Sequence, residues 1–113
     1  MAKFNITPIS EFKEFVREGY SYTKVSDKNN YYLFGVKDED GMNAGFEIWK
    51  GVSRKQPDGT KVMSKPSSEQ FGTYGWYVCG TIANIRHTLN RIKEKGNPDL
   101  DVEFFIQGVA EHF

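Results

Sequence analysis

Cys79, the one cysteine of the chain, stands eight residues before His87, and these two side chains form the only nearby nucleophile–base combination in the sequence. A catalytic cysteine works as a thiolate, held by a neighbouring cation or by a helix N-terminus. Cys79 precedes a segment of helical spacing that begins near Thr81, which gives the second condition a geometric basis. His87 falls about two turns along that segment, too far to reach the thiol. Cys79 also lies in the run SSEQFGTYGWYVCGT (67–81), at the end of its strand-like part, and among such bulky neighbours a buried cysteine acts as a small hydrophobe. A core strand is expected there, and no enzyme.

Metal and phosphate chemistry find less support. Asp38, Glu39 and Asp40 precede Gly41, but the alternating acids and terminal glutamate of a calcium loop are missing, so a hairpin turn is the simpler reading. One cysteine and two widely separated histidines cannot fill a tetrahedral zinc site in one chain. No glycine-rich phosphate loop or nucleophile elbow occurs. Neither metal nor cofactor is expected.

Binding chemistry has more to work with. The chain carries 15 basic and 15 acidic side chains, for zero net charge, which argues against tight sequence-independent attachment to nucleic acid. The charges are segregated, however. Lys50, Arg54, Lys55, Lys61 and Lys65 face only Asp58 between residues 50 and 66, whereas 38–47 and 97–111 hold acids and no lysine or arginine. Tyr74, Trp76 and Tyr77 could stack bases while these cations follow phosphates, with Arg86, Arg91, Lys93 and Lys95 extending the surface. Alternatively, Trp49, Tyr31 or Tyr32, and Tyr77 cannot all point inward on one sheet layer, and exposed Trp, Tyr and Arg suit a protein interface.

These residues must be positioned by a chain of 113 residues, enough for one domain, 1–113, with its own core. Thr7-Pro8 followed by Ile9, Phe12 and Val16 reads as a capped helix over 7–18, stopped at Gly19. Tyr20 to Val25, Tyr31 to Val36 and Ala44 to Lys50 read as three strands of a meander joined by turn-rich segments. Gly51 to Lys65 is an exposed basic loop or a β-ribbon with Pro57-Asp58-Gly59 at its tip. A fourth strand spans Trp76 to Cys79. Ile82, Ile85, Leu89 and Ile92 then mark an amphipathic helix over 81–95, capped by Thr81 and ended by Gly96 and Pro98. Asp101 to Gln107 alternates like a last strand. No signal peptide order or membrane-length apolar run occurs, so a soluble cytoplasmic protein is expected.

Residues 66–76, PSSEQFGTYGW, resemble a P-S-x-E-x-F-G-x-x-[AG]-W pattern of small uncharacterised bacteriophage and mobile-element proteins, in which it follows a strand like FEIWK (46–50) and precedes a helix like 81–95. The resemblance covers about the middle half of the chain and transfers no catalytic residue. It implies a bacterial cytoplasm, the host's for a phage-encoded chain, and an accessory role such as binding a host protein. Physically, Phe71 and Trp76 would plug the gap between sheet and helix, so that Trp76→Ala costs roughly 3–5 kcal/mol.

The expectation is therefore an α+β domain: a four- or five-stranded antiparallel sheet with helices 7–18 and 81–95 on one face. Its function is non-catalytic protein binding, as a phage-type inhibitor or adaptor, with single-stranded nucleic acid as the alternative partner. The expected binding residues are Trp49, Arg54, Lys55, Lys61, Lys65, Tyr74 and Tyr77.

Overall fold

Strands β1 (Glu14–Arg17), β2 (Tyr20–Lys28), β3 (Tyr31–Lys37), β4 (Asn43–Lys50), β5 (Val52–Lys55), β6 (Lys61–Ser64) and β7 (Gly75–Val78) precede two helices, α1 (Ile82–Glu94) and α2 (Val102–His112). The computed structural model describes residues 6–112. Five strands pair antiparallel in the order β1-β2-β3-β4-β7, and β5 with β6 forms a separate hairpin. This is the expected α+β class with an antiparallel sheet and two helices, and the 50–65 segment takes its ribbon form.

The two ends of the chain differ from expectation in opposite ways. Residues 7–18 hold one 3-10 turn, Ile9–Glu11, and then strand β1 in place of a helix. Glu18 and Gly19 both have positive φ, at 54° and 84°. They form the two-residue connection whose twist matches a hairpin, so Phe15 lands opposite Tyr22 and Arg17 opposite Tyr20. Gly19 therefore turns a strand; it does not stop a helix. Conversely, Asp101 to Gln107 is not a strand but the start of α2. Val102, Phe105, Ile106 and Val109 are buried at steps of three, one and three, the stripe of a helix, and Asp101 accepts from the Phe104 amide at 3.1 Å as its cap. Gly108 lets α2 lie close on β2, since a Cβ there would come within 2.9 Å of the Ser26 hydroxyl.

Helix α1 forms as its pattern dictates. The Thr81 hydroxyl accepts from the Asn84 amide at 3.2 Å, and Ile85, Leu89 and Ile92 turn inward. With α2 they cover one sheet face, closing over Leu33, Phe46, Ile48 and Val78. Trp76 packs at the margin of this core, half-buried, with its indole N–H donated to the Gly72 carbonyl at 3.1 Å. Phe71 does not join it there; it packs on the opposite face.

That opposite face has an aromatic core of its own. Trp49 is 1% exposed, its ring 4.3 Å from Phe34, 5.6 Å from Phe15 and 5.8 Å from Phe12. Phe15 stacks on Tyr22 at 4.7 Å. Trp49 is thus a core residue and not the surface binding residue expected, because β4 is covered on both sides and its alternation separates two interiors. Its truncation should therefore outweigh that of Trp76. Trp49→Ala is expected to lose about 3–5 kcal/mol in urea unfolding, and Trp76→Ala distinctly less.

Candidate functional site

A carboxylate lies in the middle of the helix-free face. Glu47 alternates with Phe46 and Ile48, so strand geometry turns it away from the helices, and it is 1% exposed. A buried carboxylate is costly unless donors surround it. Three side chains supply them: the Tyr22 hydroxyl at 2.5 Å, the Trp49 indole N–H at 3.1 Å, and Arg17 Nη2 at 3.5 Å from both oxygens. Arg17 also donates to the Tyr22 oxygen at 2.8 Å, with its guanidinium 5.0 Å from that ring. Among the described residues, Ser26 Oγ is the one buried side-chain polar atom without a partner.

The cluster floors a cleft of about 350 Å³. The 3-10 turn and Phe12 cover one half of this sheet face. The other half is open, walled by Arg17, Tyr20 and Tyr77 with Cys79 at its edge. Tyr77 is 68% and Tyr20 44% exposed. A hydrogen-bonded polar floor beneath two exposed tyrosines and a half-exposed guanidinium can seat a polypeptide segment. Sequence reading missed Arg17, Tyr20, Tyr22 and Glu47; the available signal was a lone acid inside the apolar run FEIWK.

The expected binding residues distribute over separate surfaces. Lys55, Lys61 and Lys65 are exposed on or beside the β5–β6 hairpin. Arg54 is half-buried and occupied, donating to Ser64 Oγ at 2.6 Å and to Gln70 Oε1, so it ties the hairpin to residues 67–70. Tyr74 is half-buried with Lys50 Nζ 6.0 Å from its ring. Tyr77 and Trp76 project to opposite sheet faces, so Tyr74, Trp76 and Tyr77 do not make one stacking platform. Arg86 is paired with Glu103 at 3.0 Å.

Cys79 is exposed, and the recess of about 340 Å³ beside it is shared with Phe46 and His112; His87 lines no part of it. No group of three metal-binding side chains occurs among the described residues, and no described helix is long and apolar enough to cross a membrane.

Burial, followed by the hydrogen bond to and charge of Glu47, pushes the Tyr22 hydroxyl up from 10.0 to about 12. A proton held more tightly folded than unfolded stabilises fully below the unfolded value. That stability is then lost as pH rises from 10 through about 12. Tyr22→Phe is therefore expected to cost about 1.5–3 kcal/mol at neutral pH, the worth of a hydrogen bond to a charged group. The variant should also flatten the decline of stability above pH 10, read by urea unfolding at successive pH values.

No protein-family model, curated protein or solved structure matches this chain.

Proposed function

We propose that the chain is a non-catalytic protein-binding module, acting as an inhibitor or adaptor does, that docks its partner on the open half of the helix-free sheet face. The observation that carries this reading is the exposure of Tyr77 and Tyr20 beside Arg17 over a floor already locked by hydrogen bonds. Tyrosine and arginine are enriched among the side chains that dominate binding energy at interfaces; tyrosine buries a large area at small entropic cost, and arginine adds a planar fork of donors. A preorganised floor lowers the ordering cost further. The basic hairpin residues Lys55, Lys61 and Lys65 lie on a separate surface and add a long-range attraction that speeds encounter with an acidic partner. In a bacterial setting that partner is a host protein.

Tyr20 and Tyr77 are exposed, so replacing both with alanine leaves the cores intact. Immobilised wild type, incubated with nuclease-treated bacterial lysate, is expected to retain one stoichiometric protein. The Tyr20→Ala, Tyr77→Ala variant should retain at least tenfold less. Equal recovery on both would reject this face as the docking site.

A further inference from the structure

On the other side of the sheet, a groove of about 440 Å³ runs between β7 and the C-terminal half of α1. Its walls include Trp76, Thr88, Arg91, Ile92, Lys95 and Asn97. Arg91 and Lys95 are one helical turn apart and line the same groove, a like-charged spacing that weakens a helix unless an anion intervenes. Neither is within ion-pair distance of an acid among the described residues, whereas Arg86, on the same helix, is paired with Glu103.

A third cation adjoins them. Lys50 Nζ donates to Asn97 Oδ1 at 3.2 Å, and Asn97 is itself buried and held by Tyr31 and the Ile92 carbonyl. Asn97 is therefore fixed in the groove wall, and the Lys50 ammonium is held against it. Cations near a helix C-terminus also offset its dipole, which accounts for their sign but not for their convergence on one cavity with an indole. Trp76 has its N–H bound to the Gly72 carbonyl, which holds the ring as part of the groove wall.

A planar apolar wall beside converging cations is complementary to a planar ring joined to a phosphate. We infer that this groove binds a nucleotide unit, its base against Trp76 and its phosphate between Arg91 and Lys95. The volume falls within the range of small-ligand sites. Thr73 supplies a hydroxyl along the groove for the sugar or base edge, whereas the Thr88 hydroxyl donates to the Asn84 carbonyl at 3.0 Å and offers only its lone pairs. An acidic peptide would satisfy the cations but would leave the indole wall without a planar partner. Free nucleotides and single-stranded nucleic acid present the same chemistry. This site is independent of the protein-docking face, since Trp76 and Tyr77 project to opposite sides of β7.

The test follows the Trp76 indole N–H resonance by NMR during titration with thymidine monophosphate, hexathymidylate, inorganic phosphate and polyglutamate. Saturable movement of the Trp76 signal by the first two, with Trp49 unmoved, is expected. The Arg91→Ala, Lys95→Ala variant, altered at exposed positions, should bind at least tenfold more weakly while keeping its circular dichroism spectrum. Much tighter, salt-sensitive binding of the hexamer identifies single strands as the source, and equal binding identifies the free nucleotide. No movement at millimolar ligand, undiminished binding by the double variant, or equal response to polyglutamate would overturn the inference. Because nuclease-treated capture reads the other face, either proposal can fail without the other.

Discussion

Strand β4 must be covered on both faces, and the rest of the structure answers to that constraint. Phe46 and Ile48 point to the helices, Glu47 and Trp49 to the other side, and all four are buried. A sheet with one apolar face needs only a layer of helices; this one needs a second cover. The helices take the first face, while the N-terminal 3-10 turn, Phe12 and Phe15 lie over Trp49 on the second. Edge strand β1 is short, yet it brings both Phe15 and Arg17 to that face. One places a ring on the aromatic core and the other a cation beside the buried carboxylate.

The second cover is incomplete, and its incompleteness defines the candidate site. Where aromatic packing ends, Glu47 begins a polar cluster satisfied by Tyr22, Trp49 and Arg17. Replacing such a cluster with apolar side chains often leaves stability unchanged or improved, so its presence is weak evidence for a stabilising role. Its hydrogen bonds do join β1, β2 and β4 at the point where the face opens to solvent. The residues 66–76 serve the same architecture from the other edge. Ser67 and Gln70 form a reciprocal cap, Phe71 packs under the aromatic core, and Trp76 crosses to the helix side. That short segment thereby links the two interiors.

Much of this arrangement could be read from residue spacing, and the failures have local causes. The meander β2-β3-β4 and helix α1 were legible because their periods are clean and their turns carry Asn, Asp and Gly. The N-terminal segment was misread because Ile9, Phe12 and Val16 fall at helical steps by coincidence. The Glu18-Gly19 turn and pairing with Tyr22 override that weak propensity. The segment 101–107 was misread because Val102, Phe104 and Ile106 alternate, while the decisive stripe runs on to Val109. Strand period alone could not reveal that both faces of β4 are interior, so Trp49 was assigned to the surface. The exposure of Tyr77 was anticipated. Its convergence with Tyr20 and Arg17 was not, since that depends on the β1–β2 hairpin.

Indole hydrogen exchange probes the two-sided burial of β4 most directly. Trp49 donates its N–H to a buried carboxylate beneath an aromatic layer, whereas Trp76 donates to a carbonyl at the groove margin. In deuterated buffer the Trp49 indole proton should persist on the timescale of global unfolding, and the Trp76 proton should exchange far sooner. Equal and rapid exchange of both would contradict the second interior, and with it the floor on which the proposed docking face rests.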